Sequence, residues 1–589
     1  MTLNGRVIGN ASGSVAASQR RSWWKETSVY QIYPASFQDT TGTGVGDLKG
    51  IISRVDYLHA LGVETVWLCP IFESPQVDMG YDISNYRVID PQYGTIEDVD
   101  TLRDELHKRG MKLVLDLVVN HTSNQHEWFK QSRSSKDSPY RDWYVWKKPR
   151  YDAEGRRQPP NNWTAHFQGS VWEYDETTDE YYLHLFEKEQ PDLNWENPDV
   201  RAAVHDIMRF WLDRGCDGFR LDVINFVSKD QAFPDSVREG HARGWEHYVA
   251  GPRLHEYLQG VGAILREYNA FSVGEMPGVY DTAEIIKSVG ADRGELSMIF
   301  HFEFVDIDWG NGGKYTSSSW APADLRKGVN KWQRFMIDNG GWNALYLENH
   351  DQPRAVTRFA SDAPEHRVAS AKMIAMFQGL QAGTPFVYQG QELGMHNVPT
   401  EWSMDEYQDV DCLNHWRLHK DSADEALKAT LKDEYQRKSR DNARTPMQWT
   451  AGPNAGFTDA GVKPWMRVHP NHTEINAEAQ TGNKSSVYHA WRAVLEIRKK
   501  HLDVFVYGDF GLVEPDHPQV IAYSRTAADG TTAIVAANFS AENVEWNGLA
   551  GSNVGEVLAS NAGKTAESLG NGSKLTLGPY EGLVVLLKA

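Results

Sequence analysis

The chain is poor in cysteine. Its three cysteines, Cys69, Cys216 and Cys412, are scattered and odd in number, which excludes a disulfide framework and a cysteine-based metal cluster. They read as reduced thiols of an intracellular, cytoplasmic protein. No run approaches the roughly 18 apolar residues that a membrane-spanning helix needs, so no membrane partner is expected. The N-terminal "MTLNGRVIGNASGSVAASQRR" has no apolar core and carries its arginines after the small residues, the wrong order for a secretory signal. Residues 1–22 read as a mobile tail. Positive charge is also scarce: 60 Lys and Arg face 80 Asp and Glu, a formal net charge of -20, which disfavours nucleic acid as a partner.

Aromatic residues, by contrast, make up 11 % of the 589 residues, and such rings can stack on sugar faces, although most large rings serve the core. From Trp23 onward, short β-rich apolar runs alternate with amphipathic helical patterns. "VYQIYP", "VETVWLCP", "MKLVLDLVVNH", "CDGFRLDV", "AFSVGEMP", "NALYLENHD" and "TPFVYQGQELG" are among eight strand candidates. Strand, helix, strand at this spacing builds a parallel sheet, and eight strands favour a closed (β/α)8 TIM barrel, an α/β fold, over an open doubly wound sheet. The rhythm stops over 122–191, a stretch too long for an ordinary loop that reads as an inserted subdomain after strand three. The barrel is therefore expected over 23–121 and 192–509. Residues 510–589 hold short strands between Gly, Asn and Asp turns and read as a C-terminal antiparallel β domain.

Acidic residues fall at the ends of several predicted strands: Asp116, Asp222, Glu275 and Asp351. Singly, an acid at a strand end reads as a helix cap or a partner of a nearby base. Four together at the mouth where barrel strands converge define a site, because charge there is costly unless paired. Arg220 lies two residues before Asp222, on the same side of the strand, and can hold that carboxylate ionised. A carboxylate kept ionised and another whose pKa is raised by a less polar setting are what glycoside hydrolysis uses.

In order and spacing, "DLVVNH" (116–121), "GFRLDVINF" (218–226), "GEMPG" (274–278) and "ENHDQPR" (348–354) resemble glycoside hydrolase family 13, the α-amylase family. "QIYPASF", "GYDISNY" (80–86), "QPDLNWENP" (190–198) and "SRDNARTPMQW" (439–449) are similar to its oligo-1,6-glucosidase and α-glucosidase branch. The resemblance covers roughly residues 23–589. It implies a retaining, exo-acting α-glucosidase with Asp222 as nucleophile, Glu275 as acid and then base, and Asp351 as a carboxylate gripping sugar hydroxyls. His121 and His350 would contact the sugar, and Asp82 with Arg440 would close the pocket end, while Tyr81, Phe167, Phe186 and Gln190 would line it. Val223 stands where members resembling 1,6-specific enzymes carry valine and maltose-preferring ones tend to carry threonine. The implied substrate is a short α-glucoside, with isomaltose-type bonds favoured over maltose or sucrose, acted on by a monomer or weak homo-oligomer.

No redox or organic cofactor is implied. "DTTGTGVGD" (39–47) resembles a calcium loop with ligands at Asp39, Thr41, Thr43, Val45 and Asp47, but threonines stand where the family usually has Asn or Asp. A structural Ca2+ and a plain Gly-rich loop are both open. The rivals are a transglucosylase or sucrose isomerase and a non-catalytic, transporter-associated relative. The second would lack the carboxylates and carry a membrane helix.

Overall fold

The structure, a computed structural model, describes residues 21–569 and 574–588. The expected N-terminal tail lies outside the described residues as far as residue 20. Its last two positions are docked: Arg21 pairs with Asp503 at 2.6 Å, and the Ser22 amide donates to the Tyr507 hydroxyl at 3.4 Å.

Eight parallel strands run as β1 (Val29–Ile32), β2 (Thr65–Leu68), β3 (Lys112–Val118), β4 (Gly218–Asp222), β5 (Phe271–Glu275), β6 (Met298–Phe300), β7 (Ala344–Leu345) and β8 (Thr384–Tyr388). They neighbour one another in the order β6-β5-β4-β3-β2-β1-β8-β7, and a parallel bridge from Ile299 to Asn343 joins the two ends, so the barrel closes. Continuous apolar character suits strands covered on both faces, and every residue of β1, β2, β4, β5 and β8 is buried. The covering helices are amphipathic. Ile96–Lys108 opens on a Thr95/Asp98 capping box and buries Val99, Leu102 and Leu106, spaced to share one face. Pro198–Asp213 starts with Asn197 as N-cap and proline in its first turn. The run expected as "NALYLENHD" is strand only at Ala344–Leu345. Beyond it the chain leaves the sheet, and the Asn349 side chain accepts the Asp351 amide at 2.8 Å in a turn that presents Asp351 to the barrel mouth.

Between β3 and β4 lies an antiparallel sheet in the order Trp146–Lys147, Glu180–Leu183, Trp172–Asp175. A buried ion pair, Lys229 to Asp192 at 2.9 Å, anchors this segment beside the barrel, and Asn120 at the end of β3 donates to the same carboxylate at 3.2 Å. The chain ends in an antiparallel sheet of β9 (Asp509–Val513), β10 (Val520–Thr526), β11 (Thr532–Asn538), β12 (Val554–Ser560) and β13 (Gly582–Leu587), ordered β9-β10-β11-β13-β12. It packs on the Arg367–Gly379 helix, where the Tyr523 hydroxyl donates to the Phe377 carbonyl at 2.9 Å. The three cysteines are free and buried. Among the described residues no helix is long and apolar enough to cross a membrane.

The 39–47 loop is closed by its own hydrogen bonds. Asp39 Oδ1 accepts the amides of Thr41 and Gly42, both at 2.9 Å; Oδ2 accepts the Gly44 amide at 2.8 Å and the Thr458 hydroxyl at 2.6 Å. Asp47 accepts the Thr40 amide at 2.6 Å and hydroxyl at 2.8 Å, and caps the following helix through the Gly50 amide at 2.7 Å. The Thr41 and Thr43 hydroxyls lie 3.2 Å apart, and Thr43 donates to the Val45 carbonyl at 3.3 Å. Burial pushes Asp39 up, but the Thr458, Gly44 and Thr41 donors outweigh it and hold the carboxyl below its ordinary range. Donor hydrogens already occupy both carboxylates, which leaves few of their oxygens free for a cation. We therefore propose a loop held by hydrogen bonds alone, and expect EDTA to leave the thermal midpoint unchanged. Asp39→Ala, which orphans the buried Gly44 amide and Thr458 hydroxyl, should destabilise by about 1–3 kcal/mol in denaturant unfolding. A midpoint that falls with EDTA and returns with calcium would contradict the proposal.

Candidate active site

Strand β4 carries Arg220 and Asp222 on one side, two residues apart, as strand geometry requires. Arg220 lies in register with Asp116 on β3, and Leu221 with Gly274 on β5, so three strands deliver their charges to one point. Arg220 Nη1 donates to Asp116 Oδ1 at 3.0 Å and Asp222 Oδ1 at 2.5 Å, while Nη2 lies 2.8 Å from Glu275 Oε2. The guanidinium is 1 % exposed and sits over the Trp67 and Tyr81 rings, at 5.4 and 5.7 Å. Three carboxylates around one cation cannot all stay ionised in a buried setting. Burial, with Asp116 and Asp351 adding, pushes Asp222 up to about 7 against the pull of Arg220. Burial likewise pushes Glu275 up to about 7 and Asp116 to about 6.

Immediately after Asp222 the chain bends sharply: Val223 has φ 33° and ψ 42°, a left-handed conformation that a β-branched residue adopts only under constraint. Its amide donates to Glu275 Oε2 at 3.2 Å, tying the acid to the residue beside Asp222.

Asp351 has the opposite setting. Its Oδ1 takes Arg444 Nη2 at 2.6 Å and lies 3.6 Å from Arg440 Nη1, and its Oδ2 is 3.2 Å from His350 Nε2. Burial pushes Asp351 up, but His350, Arg440 and Arg444 together hold it well below the usual carboxylate range. Burial lowers His350 itself, so the arginines carry the charge compensation at neutral pH. Gln31 Nε2 lies 2.8 Å from His350 Nδ1 and can only donate, which places the ring proton on Nε2, 2.6 Å from the Tyr81 oxygen. Tyr81 in turn donates to Asp116 at 3.1 Å.

The pocket end differs from the expectation. Asp82 does not meet Arg440: its carboxylate is fully buried and turned back on its own loop, accepting the Val77 amide at 2.9 Å, the Asp78 amide at 3.1 Å and the Ser74 hydroxyl at 3.0 Å. Asp78, four residues earlier, is the partner, with Oδ1 at 3.0 Å from Arg440 Nη2 and Oδ2 accepting from Gln190 at 3.3 Å. Arg440 Nε is held by Asp409 at 2.7 Å, and its guanidinium lies 4.9 Å from the Phe167 ring. His121 Nε2 is 3.1 Å from the Tyr81 carbonyl, and its ring packs on Phe186 at 5.2 Å. Asp78, Tyr81, His121, Phe167, Phe186, Asp222, Val223, Glu275, Asp351 and Arg440 all line one cavity of about 420 Å³. Gln190, Arg220 and His350 stand behind this wall; the calcium-loop residues and Asp82 take no part in it. Arg444 and Asp409 escaped the sequence reading. The first had a signal, since it follows Arg440 by four residues in "RDNAR" and can share its face of a helical turn; Asp409 had none.

A pocket this size with one closed end, two carboxylates of raised pKa on a shared cation and a third kept ionised can bind a neutral ring of hydroxyls and exchange a proton with it. Residues 31–508 match the family described as alpha amylase, catalytic domain, and 510–584 match maltogenic amylase, C-terminal domain. The chain is 53 % identical to an alpha-glucosidase of Schizosaccharomyces pombe, over 96 % of this chain and 98 % of that one. It is 49 % identical to an oligo-1,6-glucosidase of Parageobacillus thermoglucosidasius, over 88 % and 91 %. The solved trehalose-6-phosphate hydrolase of Bacillus licheniformis superposes with a TM-score of 0.90 at 41 % identity, over 97 % and 100 %. With barrel, carboxylates and near full-length likeness in agreement, the chain belongs to the α-amylase family of glycoside hydrolases, family 13.

Proposed function

We propose that the protein is a retaining exo-α-glucosidase that removes terminal glucose from short α-glucosides, with α-1,6 bonds favoured. The observation that carries this reading is the Asp78–Arg440 pair, 3.0 Å apart in the lining of the cavity, which would bar a sugar chain from continuing past it. In the first step Asp222 attacks the anomeric carbon while Glu275 gives its proton to the glycosidic oxygen; the C–O bond breaks, the leaving sugar departs and a β-glucosyl ester forms. Glu275 then takes a proton from water as the water oxygen displaces Asp222, releasing α-glucose. Asp351, ionised by its arginines, binds ring hydroxyls throughout. The names of the relatives support the glucosidase class. Lys314 of the cavity lining lies 3.6 Å from Asp411, and Asp306 lines it too, so acids balance that lysine, a setting that disfavours a phosphorylated leaving sugar. The buried free thiols support a reducing, cytoplasmic location.

Rates on isomaltose, maltose, sucrose and starch, measured side by side with early NMR of the products, test the reading. We expect isomaltose to lead, starch to trail and α-glucose to appear before mutarotation. Asp222→Asn should lose at least ~10³-fold in turnover while still binding sugar. Initial β-glucose or fast internal cleavage of starch would overturn it.

The charge cluster sets the pH response. The reaction needs a proton on Glu275 and none on Asp222, so kcat/KM should fall as pH rises above about 7 and Glu275 ionises, and fall again as pH drops and Asp222 takes a proton. Asp116→Asn removes an anion that raises Asp222, so the acid limb should move to lower pH. A limb that stays in place or moves up would show that Asp116 does not act on Asp222.

Val223 lines the cavity directly after the attacking residue. Threonine there adds a hydroxyl that can contact the leaving sugar. Val223→Thr should raise maltose relative to isomaltose by about 2- to 13-fold in kcat/KM, the worth of one neutral hydrogen bond. An unmoved ratio would place linkage choice elsewhere in the pocket.

A further inference from the structure

Gln352 follows Asp351 in the chain, is 5 % exposed and lines the same cavity. Its Oε1 accepts from Arg358 Nη1 at 2.8 Å. A guanidinium can only donate, so this contact decides which end of the amide is which: the oxygen faces Arg358 and the NH2 is turned away from it. Among the described residues Nε2 meets no hydrogen-bond partner, and it is not sealed inside the protein, which leaves it on the cavity side.

Arg358 is clamped in turn. Nε donates to Asp308 Oδ2 at 3.1 Å, and Nη2 donates to the other oxygen of Asp308 and to the Val305 carbonyl. Val305 and Asp308 belong to the connection that follows β6, and β6 pairs with β5, the strand that ends in Glu275. Arg358 thus ties Gln352 to the connection that follows the strand next to that of Glu275, whereas Arg440 pairs with Asp78. A donor fixed there is free to serve a ligand oxygen that enters the cavity.

We propose that Gln352 is a specificity-determining residue whose Nε2 donates a hydrogen bond to a hydroxyl oxygen of the leaving sugar, with Arg358 as its positioning residue. The inference rests on the α-glucosidase reading. A sugar leaving group collects this bond and an aryl leaving group without hydroxyls does not, so the residue discriminates between them.

The test compares kcat/KM on isomaltose with kcat/KM on p-nitrophenyl α-glucoside. Gln352→Met and Gln352→Leu each remove the amide, and with it any hydrogen bond to the leaving sugar, while Asp308 and the Val305 carbonyl still hold Arg358. Both should lower the isomaltose-to-aryl ratio by about 2- to 10-fold. Arg358→Lys, whose single ammonium cannot hold Gln352, Val305 and Asp308 in one fork, should lower the ratio too. If activity on the two substrates falls in parallel, or the ratio does not move in the Gln352 variants, the proposal is overturned. If it moves there but not in Arg358→Lys, the positioning role is overturned. Wild-type protein inert on both substrates would instead refute the α-glucosidase reading.

Discussion

Arg220 is sealed under the rings of Trp67 and Tyr81, and its two terminal nitrogens are shared among Asp116, Asp222 and Glu275. Without that cation, three buried carboxyls would each take up a proton, and none could serve as an ionised nucleophile near neutral pH. With it, the group is short of positive charge, so a proton is retained where catalysis needs an acid. Arg220 cannot find these partners within its own strand: only Asp222 is near in sequence, and Asp116 and Glu275 arrive from the strands on either side. Barrel closure is therefore a condition of the chemistry as well as of stability.

The opposite wall uses surplus cation. Arg440 and Arg444 flank Asp351, and Asp78 and Asp409 balance Arg440 in turn. The two walls give two carboxylate environments a short distance apart, one favouring the proton and one expelling it. The contrast comes from the ratio of guanidinium to carboxylate groups, since burial alone would raise every acid.

Much of the scaffold was legible because barrel strands are short apolar runs buried on both faces, a pattern that survives without knowledge of their neighbours. Strands β6 and β7 were the least legible, at three and two residues, because length is the main signal when both faces are apolar. The carboxylates at strand ends stood out because charge beside such runs is costly. The error at Asp82 has a local cause. "DMGYD" offers two acids four residues apart, and nothing in the string tells which carboxylate caps the turn and which leaves it. The Val77 and Asp78 amides decide that by capturing Asp82. The 39–47 loop was ambiguous in the same way, since aspartate oxygens can face a cation or a ring of N–H groups.

The alternation of strands and helices, the acids at the barrel mouth and the pairing of Arg220 with Asp222 can be read from the chain alone, because each depends on residues near one another and on periodicity. The closed fold is what makes Asp78 the partner of Arg440, 362 residues away, sets Arg444 on Asp351 and brings Arg358 to the Gln352 oxygen. Those choices depend on which donors reach which oxygens once the barrel has closed. Hydrogen-bond geometry at about 3 Å is set by the packing of whole strands and helices, which no local stretch of residues encodes.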